Sequence, residues 1–473
     1  MDTRTVDVAV IGAGSAGLSA RREAAKLGAR VLLIEGGPYG TTCARVGCMP
    51  SKLLIAAADA AHRVAHAGSF GIRVPAGVRV DGPAVFERLR RERDRFVDFV
   101  LESVEAIPPE QRLRGYARFA GPTTLLVDDH TRVDFKAAVI ATGSSPSVPA
   151  ALVPLREHLL LSDDIFELAD LPASLAVLGT GVAGLELGQA MHRLGVRTTF
   201  FSRYNRLGLL TDPMVKAAAL DVLGGELDLR LNADVGVERD AAGFVVGWRD
   251  AAGQAHQAHF DTLLCATGRH PNFDGLDLGR GGVQSLPLVD PRTLQCGALP
   301  IFIAGDATAY RPTLHEAIDE GGIAGSNAAR YPDVRAQARR TLLSITFTDP
   351  AMAVVGAPLR ELDADQIAVG CVSYADQGRA RVMGENAGVV RIYARRDSGT
   401  LIGAEMLGPR VEHTAHLLAW AVQGQLTVEE ALAMPVYHPV IEEGIRAALR
   451  DLSVRLALLP PERKSDLECG PGA

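Results

Sequence analysis

The sequence predicts an α/β protein with two parallel-stranded nucleotide-binding units and a third, strand-rich module. Three observations carry this expectation: a glycine-rich turn between an apolar strand and a helix near the start, the return of that pattern at Gly179, and a change of composition from about Thr341. Val6-Asp7-Val8-Ala9-Val10-Ile11 is a short apolar run suited to a buried parallel strand. It leads directly into Gly12-Ala13-Gly14-Ser15-Ala16-Gly17, and a helical pattern follows from Leu18 to Leu27. In this context Gly12, Gly14 and Gly17 permit a tight turn and let a pyrophosphate approach the free amides of the helix N-terminus. A second strand, 31–34, ends in Glu35, about twenty residues past the glycines, where a carboxylate can bind ribose hydroxyls. These elements predict a Rossmann-like domain whose first part spans 1–150.

Residues 53–105 read as helical, and the charges from Glu87 to Arg95 as a solvated face. Residues 112–135 alternate apolar and polar positions, as short antiparallel strands do, and 137–143 reads as a strand returning to the sheet. The proline-rich stretch from Pro146 to Pro154 reads as a crossing between domains. Beyond it the opening pattern repeats: strand 175–178, the turn Gly179-Thr180-Gly181-Val182-Ala183-Gly184, and a helix over 185–194. A second Rossmann-like domain is therefore expected over 151–272. Two fingerprints, with Gly179, Gly181 and Gly184 in the second, imply two dinucleotides, as electron transfer between a nicotinamide and a flavin requires.

The strand 198–201 leads to Ser202-Arg203 instead of an acid corresponding to Glu35. A carboxylate there would repel a 2′-phosphate, whereas Ser202 and the guanidinium of Arg203 could bind it. NADPH is therefore expected to serve at least as well as NADH. Ala266-Thr267-Gly268 closes this unit, strand 301–306 ends in Gly305-Asp306, and the helix 314–330 returns the chain to the first domain, giving 273–340 as its central part. The remainder, 341–473, reads as strands followed by helices.

With 473 residues, 47% of them hydrophobic, the chain can bury several cores, and about three domains are expected. A formal charge of -7 gives no basic field for nucleic acid or an anionic membrane, and no apolar run approaches membrane-spanning length. The N-terminus carries Asp2, Arg4 and Asp7 with no apolar signal core, and six cysteines are too sparse for a secreted disulfide framework. A cytoplasmic protein acting on small molecules is expected.

Cys43 and Cys48 stand out among the cysteines. A bridge between them would close a very small loop and give little structural reinforcement, so redox exchange is the better reason for the pair. Two buried thiols, or half of a metal site lacking its other half, are the competing explanations, and no metal is expected. The flanks discriminate: Gly40-Thr41-Thr42-Cys43-Ala44-Arg45-Val46-Gly47-Cys48-Met49-Pro50-Ser51-Lys52 resembles the active-disulfide segment of the pyridine nucleotide-disulfide oxidoreductases, the family of dihydrolipoyl dehydrogenase, glutathione reductase and mercuric reductase. One departure is Thr41, where the family usually has a second glycine.

The resemblance runs from Val6 to about Leu456 and implies FAD in the first domain, NADP or NAD in the second, and a C-terminal α+β dimerisation domain. It implies that Cys48 faces the flavin and Cys43 exchanges with substrate, and that Lys52 and Glu186 form an ion pair beside the reacting ring. It assigns Thr42, Lys52, Ala117, Thr142, Gly143, Asp306 and Gly268 to cofactor binding, together with the fingerprint glycines, Glu35, Ser202 and Arg203. In Tyr437-His438-Pro439-Val440-Ile441-Glu442-Glu443 it implies that His438 is the base and Glu443 the carboxylate behind it; Val436 replaces the first histidine of the usual motif. The family's histidine serves the partner subunit's disulfide, so a homodimer with shared active sites is expected.

Dihydrolipoyl dehydrogenase is the member most resembled, which implies a lipoamide-like dithiol and allows a multienzyme complex; no lipoyl domain is expected at either end. A glutathione reductase is weakened by Asn327, where an arginine would align, although Arg22 matches the other arginine. A mercuric reductase is weakened by the single Cys469 in the tail and by the retained His438. A quinone reductase and a slow flavoprotein scaffold or redox sensor also compete; intact Cys43, Cys48 and His438 argue against the scaffold.

Overall fold

The computed structural model describes residues 1–75, 78–250, 252–284 and 289–458; Cys469 lies outside the described residues. In chain order the helices are α1 Ser15–Lys26, α2 Thr42–Val46, α3 Cys48–His66, α4 Gly82–Glu105, α5 Val182–Arg193, α6 Pro213–Gly224, α7 Leu314–Arg330, α8 Gly378–Met383, α9 Val411–Gln423, α10 Val428–Leu432 and α11 Glu443–Arg455.

The opening apolar run forms the strand Asp2–Ile11, which pairs in parallel with Val31–Glu35 on one side and Thr131–Ile140 on the other. Arg112–Arg114 and Ile301–Ile303 extend this parallel sheet at its two sides. The strands Ala117–Gly121 and Thr124–Val127 form the antiparallel approach to Thr131–Ile140. One face packs beneath α1 and α7, with Val8, Val10, Val139 and Phe302 buried against Ala16, Ala20 and Ala324. The two helices run so close that a Cβ at Gly321 or Gly325 would strike the backbone of Ala16 or Ala20. Small residues here allow the return of α7, and so of Asp306, to the first sheet.

The helical stretch expected over 53–105 is two helices. α3 begins earlier, at Cys48, and stops at His66; a single 3-10 turn, Ala67–Phe70, is closed by Gly71 at φ 75°. α4 restarts at Gly82, where the Asp81 side chain accepts from Ala84 N and a proline occupies the first turn. Gly68, Gly71 and Pro75 are the breakers between them. That run is also only partly a solvated face. Arg90 donates to Leu168 O at 2.9 Å and Arg93 pairs with Glu167, so two of its arginines dock α4 on the second unit.

The second parallel sheet centres on Ser174–Leu178, flanked by Arg197–Ser202 and Thr262–Cys265, with Asp228–Leu231 and Leu160–Leu161 at its edges. An antiparallel meander, 234–260, packs on it through Trp248 and Phe260 against Phe201. Ser144–Pro146 pairs antiparallel with Arg269–Pro271, so the two crossings between the units run side by side.

The C-terminal sheet is antiparallel throughout, with Leu343–Thr346, Ala351–Gly356, Leu401–Gly408, Val389–Arg395 and Ile367–Ser373 in that order. α9 and α11 supply Ala415, Leu418, Ala448 and Leu452 to its core. Among the described residues no helix is long and apolar enough to cross a membrane.

Candidate active site

Cys43 lies in the short helix α2 and Cys48 opens α3. Gly47 separates the helices, and a Cβ there would sit 3.0 Å from Thr42 O. Thr41 holds φ 57°, ψ 149°, a conformation that favours glycine and that costs a β-branched residue strain. Its hydroxyl offsets part of that cost by accepting from Ala44 N at 3.2 Å and capping α2. The departure from the family pattern is thus a strained N-cap, and Thr42 follows as an exposed first helical residue.

Cys43 and Cys48 stand side by side as a pair of sulfurs near disulfide distance. The hydrogen bond with Cys43 and the charge of Lys52 bring Cys48 down to about 7, against burial and Glu186, which push the other way. The same bond and burial push Cys43 up. The opposed shifts make Cys48 the more acidic sulfur of the pair, and Cys43, shifted up, needs a base before it can attack.

Lys52 follows Cys48 by one helical turn and shares its face. Its Nζ lies 2.6 Å from Glu186 Oε2, and Glu186 is buried on α5. The other carboxylate oxygen accepts from Phe347 N at 2.9 Å, and the Phe347 ring lies 4.3 Å from the Lys52 ammonium. Three separated parts of the chain therefore hold this pair. Phe347 was visible only as part of a stretch resembling the interface domain, with no local signal for its contact with Lys52.

The glycine turns bear on the cofactors. A Cβ at Gly12 or Gly179 would strike the carbonyl of Ala141 or Ala266, and one at Gly17 or Gly184 that of Gly12 or Gly179. The chain's own packing thus explains these four. At Gly14 and Gly181 a Cβ would meet nothing within 4 Å, and α1 and α5 begin there without a side-chain cap. Open helix amides behind an unobstructed glycine are a cradle for pyrophosphate. Gly143 and Gly268, at φ 69° and 118°, also face open space. Beside Gly143 the Thr142 hydroxyl is buried without a partner among the described residues.

Asp306 Oδ2 accepts from Ser144 Oγ at 2.8 Å, and Arg269 donates to the same hydroxyl at 2.9 Å while pairing with Asp163 at 2.7 Å. This chain of contacts runs from the first sheet through the paired crossings, and neither Ser144 nor Arg269 was anticipated as a site residue. Glu35 grips the turn itself, accepting from Ala13 N and Gly37 N, each at 2.7 Å. The Ala117 side chain is packed in the core beneath the sheet, so only its main chain can serve a nucleotide. These residues fit a bound FAD at the first turn and a nicotinamide dinucleotide at the second.

Ser202 ends its strand with its hydroxyl engaged to Tyr204 O at 2.8 Å. Arg203 is exposed and has no hydrogen bond or ion pair among the described residues. The loop carrying it folds onto the second turn, with Gly208 N donating to Thr180 O at 2.9 Å.

In the C-terminal module, His438 Nδ1 lies 2.7 Å from Glu443 Oε1. Glu443 opens α11, and its other oxygen accepts from Val440 N at 3.0 Å, so the carboxylate is fixed and orients the ring. Among the described residues no hydrogen bond joins His438 to Cys43 or Cys48. Asn327 is buried, binding Thr293 O, Arg335 O and Arg335 N, and Arg22 contacts Glu23 and Ser19.

Two dinucleotide cradles flanking a dithiol define a flavin-dependent NAD(P)H:disulfide oxidoreductase. The pyridine nucleotide-disulphide oxidoreductase pattern matches residues 6–321 and the family's dimerisation domain matches 343–449. The chain belongs to this family, which uses FAD and NAD(P)H, and its dimerisation domain makes it a homodimer. It is 30% identical to dihydrolipoyl dehydrogenase of Thermus scotoductus, over 95% of this chain and 98% of that one. It is 29% identical to mercuric reductase of Staphylococcus aureus, over 93% of this chain and 81% of that one. The structure of LpdA from Mycobacterium tuberculosis superposes with a TM-score of 0.80 at 25% identity, covering 94% of this chain and 99% of that one. The flavoprotein disulfide reductase RclA from Escherichia coli shares the fold, with a TM-score of 0.78 at 22% identity over 96% of this chain and all of that one (100%).

Proposed function

We propose that the protein passes two electrons between NAD(P)H and a small lipoamide-like dithiol or disulfide through Cys43 and Cys48, with an active site completed by the second subunit. The observation that carries this is the Cys43–Cys48 pair one helical turn from Lys52, whose ammonium is held 2.6 Å from the buried Glu186. We assign 1–150 and 273–340 to the FAD unit, 151–272 to the coenzyme unit and 341–473 to the interface.

The first glycine turn, Thr142 and Asp306 would hold FAD, which would supply two-electron exchange between a nicotinamide and the cysteine pair. The chain's residues provide the rest. Lys52, fixed by Glu186, sets a positive charge where negative charge develops. In the oxidising direction for substrate, a dithiol substrate's thiolate attacks the Cys43 sulfur and releases Cys48 as thiolate. The second substrate thiol then displaces Cys43, leaving the substrate as a disulfide with both cysteines reduced. His438, oriented by Glu443, accepts a substrate thiol proton in this direction and returns one in reverse. Every residue named acts in both directions, so the net direction follows from the ratios of coenzyme and thiol.

Because His438 is held in the interface module, it is assigned to the cysteines of the other subunit. Mixing a Cys43→Ser chain with a His438→Ala chain should restore part of the activity in demonstrated heterodimers. Heterodimers without rescue would sink the shared site. A second reading, an NADPH-dependent reductase of another small disulfide, is favoured by Ser202 and the unpaired Arg203 at the end of their strand. Turnover with lipoamide and glutathione disulfide against both coenzymes distinguishes the two, and participation in a multienzyme complex is tested by co-purification.

A further inference from the structure

The Lys52–Glu186 pair is held from a side that the glycine turns and the cysteine segment do not supply. α5 presents Glu186, Gln189 and Arg193 at i, i+3 and i+7, along one helical face. All three grip the segment 347–349, which lies within the matched dimerisation domain. Glu186 accepts from Phe347 N at 2.9 Å. Gln189 accepts from Asp349 N and donates to Asp349 O, both at 2.9 Å. Arg193 donates to Asp349 O at 3.0 Å and to its carboxylate at 2.8 Å. Glu226 fixes the far end, pairing with Arg193 at 2.6 Å and accepting from Gln189 at 2.9 Å.

We propose that Gln189, Arg193 and Asp349 are positioning residues for the Lys52–Glu186 pair, setting the register of segment 347–349 so that Phe347 offers its amide to Glu186 and its ring to Lys52. The inference rests on the assignment of Lys52 as the cation that acts on the redox centre. Glu186 is buried, and Lys52 satisfies only one of its oxygens. Without the Phe347 amide the other oxygen has no donor, and the carboxylate becomes a stronger base within reach of Cys48. Without the ring, Lys52 loses a surface that holds its ammonium in place. A slip of this segment would misplace amide and ring together, because both belong to one residue. Gln189 and Asp349 thus act on the pair through Phe347.

The charged and titratable groups facing Cys48 are Cys43, Lys52 and Glu186. Weakened hold on Lys52 and a stronger negative charge on Glu186 both push Cys48 in the same direction, upward. The test uses the FAD-loaded homodimer, reduced anaerobically. Alkylation of Cys48 by iodoacetamide, identified by mass spectrometry, is followed against pH. Phe347→Leu and Gln189→Leu should raise the midpoint by about one unit, a tenfold loss of thiolate at pH values below both midpoints. Phe347→Tyr, which keeps the ring and amide, should titrate as the parent does. Lys52→Met separates the possible failures. If it raises the midpoint while both leucine variants leave it unchanged, the track is only structural and the inference is overturned. If Lys52→Met also has no effect, the assignment beneath it falls as well.

Discussion

Cys43 serves the site first as a donor. The neighbouring Cys43 thiol is the largest influence bringing Cys48 down to about 7, ahead of Lys52. Cys43→Ala removes that donor and leaves burial to raise the remaining thiol. The pH midpoint for alkylating Cys48 should therefore move up towards or beyond the ordinary cysteine value of about 8.5. In the parent protein, reactivity should fall as pH drops through about 7, because the thiolate is the reactive form. An unchanged midpoint in Cys43→Ala would mean that the two sulfurs do not share a proton. Arg203 tests the coenzyme. A charge-assisted contact to a 2′-phosphate is worth about 1.5–3 kcal/mol, so Arg203→Glu should lower kcat/KM for NADPH by about 10- to 150-fold. The value for NADH should stay close to that of the parent, and equal losses with both coenzymes would argue against a phosphate contact.

The two glycine turns have the same division of labour. Gly184 is required by the fold, since its Cβ would strike Gly179 O, whereas Gly181 faces open space. Gly181→Val should therefore keep its flavin and its melting temperature but weaken coenzyme binding by more than about tenfold, because the new methyl groups cover the helix amides. Titration with the oxidised coenzyme measures this, and unchanged affinity would remove the second turn from the coenzyme site. These turns were legible because strand, turn and helix are local and their residue types are constrained by backbone geometry. The break between α3 and α4 was not. There residues 53–105 read as helical without a boundary, but Gly71 terminates one helical stretch and Asp81 caps the next. The arginines of α4 carried no mark of their partners either, because Leu168 and Glu167 belong to another unit.

Across the whole molecule, Glu405 joins the C-terminal sheet to the coenzyme unit. Buried in the strand Leu401–Gly408, it accepts from Thr211 N at 2.6 Å, Asp212 N at 2.8 Å and Leu359 N at 3.0 Å. Asp212 returns the link by pairing with Arg391 at 2.6 Å and accepting from Tyr393 at 2.8 Å. Removing the carboxylate strands buried donors on both units, so Glu405→Ala should cost about 3 kcal/mol. Urea unfolding of the flavin-loaded dimer at fixed protein concentration measures this, and a cost below about 1 kcal/mol would show that the clamp contributes little.

The sequence by itself determined the two nucleotide units, the cysteine pair and the histidine with its carboxylate. The nucleotide units are written in periodicity and in the demands of tight turns, whereas the cysteine pair and His438 with Glu443 were read from the resemblance of short contiguous segments to the family. Only the tertiary structure decided how the centre is held. Lys52 meets Glu186 across 134 positions and Phe347 meets Glu186 across 161, and no local rule relates such residues. They come together because helix packing and an antiparallel sheet from different parts of the chain bury one carboxylate whose two oxygens both require donors.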